Sequence, residues 1–375
     1  MEHLLRKAWL LELREPTPDF MAVYARRVKT GGQDTALKEL VERLPLSGPA
    51  ALRSAQGLMV LRAILLLAPW LEVPSLHGML AAHALGLATG PAANVPEASS
   101  GAETYASLRT RVSPDMASTG IKGILAHQME DLASRLGLGA GLLPLLQSIC
   151  AALPADLYWH QRALKRLKGP APQAPSGDPV RVICEGSLVA VLDLFGSMVR
   201  RGEPVLGFLA EAASRKLLEA DRGLQGRTSW IFAYLAALAG AGPAQWLQAA
   251  ALIHLFPSEE WPALEPVDGE ANPGDLLEAI LDADPREARR TALQVLGRVA
   301  PTDLMPILAE AVAASDPMND GGHRLLATAA VAELLPRLDR TSQTWIVLAL
   351  ATSLAATQTS GDQVEMGKRA WNRVV

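Results

Sequence analysis

Cysteine is nearly absent from this chain: Cys150 and Cys184 are the only two in 375 residues. That is too few for a disulfide framework or a cysteine-based zinc site, and both sit in apolar company that marks them as packing residues. An excess of positive charge is missing too. Lys plus Arg number 35 against 39 Asp plus Glu, a net charge of −4, which removes the electrostatic footprint of a general nucleic-acid binder. No nucleophile elbow, phosphate loop, H-E-x-x-H or EF-hand pattern occurs, so the usual hydrolase, kinase and zinc-protease readings have nothing to rest on. The opening residues carry Glu2, Arg6 and Lys7 and lack both a long apolar core and a small-residue cleavage site. A secretory signal is therefore not expected, and the location expected is cytoplasmic.

Two stretches lack acidic and basic residues, 228–258 and 341–361. Length alone would let either cross a membrane. The first is broken by Gly240, Gly242 and Pro243, and the second is interrupted by Ser, Thr and Gln. Both read as helices buried on most sides, so no membrane span is expected. Alternating apolar patterns are scarce as well. Only Val180-Arg181-Val182-Ile183 looks like a strand.

What the chain does contain is apolar residues at helical spacing. They make up 49% of it against 20% charged, enough for a large core and incompatible with global disorder. Leu37, Leu40, Val41 and Leu44 recur at three and four, as do Leu58, Leu61, Ile64 and Leu65. Pro45, Pro74, Pro114, Gly137, Pro154, Gly202, Pro243, Pro285 and Pro301 break the pattern at short intervals. The texture is that of an all-α fold of stacked antiparallel helical hairpins, HEAT-like or α-solenoid. Asp284-Pro285 opens a HEAT-like segment over 284–314, with Asp as cap and Pro in the first turn. A Pro/Gly-rich linker at 169–179 separates an N-terminal helical half, 1–168, from a C-terminal one, 180–375. The stretches 89–101 and 257–273 read as loops. The halves read as related: with Gly120 written over Gly322, Asp131 falls on Glu333, Arg135 on Arg337 and Leu136 on Leu338.

The residues that offer chemistry are histidines on apolar helices. His77 follows Ser75, read as a helix cap, and Gly78 beside it lets another backbone or a ligand come close. His83 lies six residues on, about 120° around the helix, so the two do not face one centre. His323 opens a helix after Asp320-Gly321-Gly322, with Leu326, Ala327 and Ala330 on its face, and His127 sits in an apolar turn with Ile124. Such a residue is a metal ligand only where several converge; alone it is a hydrogen-bonded core histidine.

Leu76-His77-Gly78-Met79-Leu80 through Ala84-Leu85 resembles the Phe-His-Gly-Leu-Ile and Ala-Leu pattern of questin-oxidase-like proteins. Gly120-Ile121-Lys122-Gly123 resembles a Gly-His-Lys helix in related bacterial proteins, and Asp320-Gly321-Gly322-His323 their second Gly-His helix. The resemblance covers about a quarter of the chain. It implies an all-helical, non-haem-iron oxygenase that opens the rings of aromatic polyketides, phenols or quinones. Carried over, it makes His77 and His323 metal ligands and Lys122 the family's lysine, with His127 or His83 as substitutes. Two departures stand out: Ile121 replaces a histidine, and Ala330 a common lysine. On the resemblance, Trp70, Tyr105 or Trp345 would line a substrate pocket, although each also reads as core filling.

The alternative is a catalytically degenerate, metal-free helical-repeat scaffold that binds a protein or small-molecule partner. One basic cluster bears on it: His160, Arg162, Lys165, Arg166 and Lys168 close a single helix. Four cations there meet either a phosphate or acidic partner, or simply the negative end of their own helix.

Overall fold

The computed structural model describes residues 2–44, 51–89, 103–169, 177–218, 230–256 and 269–374. The loops expected at 89–101 and 257–273, and the centre of the linker, fall largely outside these. Among the described residues there are twenty α-helices, three short 3-10 turns and no strand. In chain order the first seven are α1 (Glu2–Glu12), α2 (Phe20–Gly31), α3 (Gln33–Val41), α4 (Ala51–Leu67), α5 (Val73–Ala88), α6 (Tyr105–Val112) and α7 (Ala117–Arg135). Then follow α8 (Leu143–Ala152), α9 (Tyr158–Lys168), α10 (Pro179–Glu185), α11 (Leu188–Arg200), α12 (Leu206–Leu218), α13 (Trp230–Ala237) and α14 (Pro243–Leu255). The last six are α15 (Pro273–Leu281), α16 (Pro285–Leu296), α17 (Met305–Ala313), α18 (His323–Leu334), α19 (Arg340–Ala356) and α20 (Asp362–Val374). The fold is all-α, as the periodicity requires.

Local chemistry sets many of the boundaries. The Asp284 carboxylate accepts from the N–H groups of Arg286 (3.0 Å) and Glu287 (3.1 Å), capping α16 with Pro285 in its first turn. The same device corrects the strand-like reading of Val180-Arg181-Val182-Ile183, which is the helix α10. Asp178 accepts from the Val180 N–H at 3.0 Å, Pro179 is pre-set for the first turn, and Val180 and Ile183 are buried one turn apart. Ser75 is not a cap either. Pro74 lets α5 start at Val73, and the Ser75 hydroxyl donates to Glu310 Oε2 at 2.9 Å.

Four helices form a closed ring at the centre: α4 packs on α7 and α18, and α13 packs on the same two. Its close approaches are made at glycines. A Cβ on Gly120 would lie 2.6 Å from the Tyr234 ring of α13, and one on Gly322 would collide with Val60 of α4. Ser118, Thr119 and Gly120 carry φ of 49°, 62° and 75°, a left-handed turn that costs about 1–2 kcal/mol at each non-glycine residue. It aims the chain so that the regular part of α7 starts with Gly120 against Tyr234.

Around the ring, α20 lies across α5 and α2, while α9, α11 and α14 pack on one another. The helices α16 and α17 of the HEAT-like segment both rest on α15, and α16 and α12 pack on α19. Helices from the two stretches of chain interlock: α20 covers α5, α18 covers α4, and α13 covers α7. Of the charge-free stretches, α13 and α19 are almost wholly buried. Among the described residues one helical stretch, Ala51–Trp70, is long and apolar enough to cross a membrane, and 67% of it is buried inside the protein.

Candidate functional site

His77 is 8% exposed, and its ring stacks on Trp371 of α20, centroids 3.5 Å apart and planes 15° apart. The choice left open at Gly78 is decided by the same contact. A Cβ there would lie 2.8 Å from the Val364 carbonyl, and one on Gly367 would lie 2.8 Å from the Gly78 carbonyl. What approaches Gly78 is therefore a backbone, that of α20. Burial pushes the His77 imidazole down to about 4, so it is neutral at pH 7.

His83 is on the other side of α5, fully buried, with Nε2 donating to the Gly57 carbonyl of α4 at 2.8 Å. Burial takes its pKa to about 4 against the opposing effect of that bond. His323 begins α18 on Gly322, whose φ of 82° is left-handed, and Asp320 accepts from the N–H groups of Gly322 and Arg324. Its ring meets Trp230 edge-on, centroids 5.3 Å apart, and burial lowers its pKa.

Lys122 is fully engaged. Its ammonium donates to Asp115 Oδ2 at 2.7 Å and to the Leu153 carbonyl at 3.0 Å. Asp115 also accepts from the N–H groups of Ala117 and Asp156, so the pair ties the start of α7 to the segment after α8. Among the described residues no group of three His, Cys, Asp or Glu side chains is placed to hold a metal ion. None of His77, His83, His127 and His323 belongs to such a group. Two of the aromatic residues expected at a pocket are held by partners of their own. Tyr105 accepts from the Leu142 N–H at 3.1 Å, and Trp345 is buried under the Arg215 guanidinium, 3.8 Å from its ring centre. Burial raises the pKa of both cysteines, Cys184 to about 11, which leaves the thiols protonated.

His127 belongs to an ionic cluster inside the central ring. Arg62 of α4, its side chain 1% exposed, pairs with Asp131 of α7 at 2.8 Å and with Glu333 of α18. His127 Nε2 lies 3.5 Å from the other Glu333 oxygen, and Arg135 pairs with Asp131 at 2.8 Å. Burial pushes the Glu333 carboxyl up, but His127 and Arg62 beside it outweigh that and bring it to about 2. Asp131 and Glu333, matched in the register of the two halves, thus grip the same arginine. A lone cation in the apolar run Leu58–Leu67 was the signal for this cluster, and it is easily passed over.

The basic cluster on α9 borders an open groove. The helix rests on its neighbours through Ala163, while Tyr158, Arg162, Lys165, Arg166 and Gly169 line an open groove of about 560 Å³. Val189, Leu192 and Asp193 of α11 form the opposite wall. Val189 is 60% exposed and Tyr158 54%, while Leu192 lies recessed at 7%. Arg200 of α11 donates to the carbonyls of Arg166, Leu167 and Gly169, closing the end of α9. Arg162 donates to the Tyr158 hydroxyl at 2.6 Å and lies over the Tyr158 and Trp159 rings. Arg166 pairs with Asp193, whereas Lys165 and Lys168 have no carboxylate partner among the described residues.

Comparisons of the chain with protein-family models, with curated proteins and with solved structures returned no match.

Proposed function

We propose that this protein is a helical binding scaffold that works without a metal ion, and that its partner is a protein or small molecule engaged at the groove between α9 and α11. The observation that carries the reading is the state of the cations there. The reading of the α9 cluster as mere compensation for the helix dipole loses force, because Arg200 already satisfies the terminal carbonyls. Arg162, Lys165 and Lys168 remain over, beside exposed Tyr158 and Val189. Unpaired charge next to exposed apolar surface is what a recognition site needs and a packing surface does not.

A second reading is the non-haem-iron oxygenase acting on a phenol or quinone. Its support is the resemblance of the sequence patches, together with a buried Nδ1 on both His77 and His323 that has no hydrogen-bond partner. Elemental analysis separates the two readings, using untagged protein purified without chelator from iron-supplemented cells. The scaffold reading expects no stoichiometric metal. Near-stoichiometric iron, lost in His77→Ala and His323→Ala, would overturn it.

A further inference from the structure

We infer that the groove between α9 and α11 receives an acidic amphipathic helix of a partner protein, its apolar side chains seated on Val189 and Leu192 and its carboxylates on Arg162 and Lys165. This rests on the scaffold reading and names the occupant of that site. The first argument is charge. Arg162, Lys165 and Arg166 bring three positive charges to the groove, and among the described residues Asp193 pairs with one of them, on a chain whose net charge is −4. A local excess of that sign selects an acidic partner and steers its approach.

The second argument is shape. Tyr158, Arg162, Lys165, Arg166 and Gly169 fall at spacings of three and four along α9, a stripe facing α11. Two neighbouring helices with a furrow between them accept a third by the packing of ridges into grooves. The eleven residues of α9 give that furrow a length of about 16 Å, roughly three turns of a partner helix. The floor discriminates further. Leu192 is 7% exposed and recessed, within reach of a side chain projecting from a helix but not of a flat lipid surface.

The third argument is preorganisation. The Arg162 guanidinium is held by the Tyr158 hydroxyl and the two aromatic rings, so little of its freedom remains to be lost on binding.

The test is a fluorescence-anisotropy titration of the full chain with a labelled synthetic helix of about three turns, acidic on one face and Leu-rich on the other. A scrambled peptide of the same composition and phosphatidylcholine–phosphatidylserine vesicles run alongside. Expected is saturable binding of the amphipathic peptide alone, weakened about a hundredfold in Arg162→Glu/Lys165→Glu and also lost in Val189→Glu. All three positions are exposed, so thermal melts of the variants should match the parent and keep a lost signal interpretable. Equal binding of both peptides, binding to vesicles only, or no binding would each overturn the inference. A dimer in sedimentation that dissolves in the charge-reversed variant would do the same, by assigning the groove to a second copy. None of these outcomes bears on metal content, so the scaffold reading stands or falls separately.

Discussion

Arginines and lysines meet opposite fates at the two charged regions of this molecule. In the central ring, Arg62 is buried and answered by Asp131 and Glu333, with Arg135 and His127 completing the set. Along α9, Arg162, Lys165 and Lys168 are exposed and have no carboxylate partner among the described residues. The first arrangement is a joint: each charge is used to hold α4, α7 and α18 in register. The second leaves interaction capacity unspent. Completeness of pairing, rather than the presence of cations, separates architecture from a surface built to recognise something.

The largest effect is expected from breaking the joint. Arg62→Leu strands the Glu333 carboxylate inside the ring and should cost about 3–5 kcal/mol in urea unfolding. Adding Glu333→Gln and Asp131→Asn should recover part of that loss, because the stranded charge is what is costly. No recovery would mean that Arg62 acts through packing alone.

Acid tests the neutral histidines nearby. With its folded pKa near 4 and a free value of 6.5, His83 binds its proton more readily in the unfolded chain. Stability is therefore full above pH 6.5 and declines as pH falls from 6.5 towards 4. For this fully buried ring the loss is on the order of 3 kcal/mol. His77 should add a contribution of the same sign over the same window. Glu333 enters only lower, between its ordinary 4.5 and about 2, again losing stability on acidification. In His83→Gln the decline between pH 6.5 and 4 should flatten, as read from urea midpoints across that range.

A smaller effect is expected at the crossing of α5 and α20. Gly78→Ala or Gly367→Ala should lower stability by about 1–3 kcal/mol, although alanine favours a helix, because each Cβ meets the facing backbone. The smallest belongs to the groove: Arg162→Glu and Lys165→Glu should change unfolding free energy by no more than about 0.5 kcal/mol. A large loss there would make α9 part of the joint and remove the contrast between the two regions.

Much of the secondary structure was legible because its causes are local. Asp284 and Pro285 start a helix that is found where they stand, and Gly322 ends its loop where His323 begins the next. The misreadings were local as well: Val180 to Ile183 has β-branched residues in alternation, and the cap at Asp178 overrode them. The histidines were harder. Nothing within a few residues of His77 announces Trp371, and nothing near His83 announces Gly57, because each contact comes from a separate helix.

The sequence by itself determined an all-helical chain, most of its starts and stops, and an apolar content too high for a disordered protein. Those properties follow from spacing of three and four and from caps that act within one turn. Only the tertiary structure decided what each polar side chain does. It set Arg62 between carboxylates 69 and 271 residues away, engaged Lys122 with Asp115 and Leu153, and left Arg162, Lys165 and Lys168 of α9 without a carboxylate among the described residues. Helix packing makes that decision, since burial and pairing depend on which faces meet, and an amphipathic repeat does not encode its neighbour.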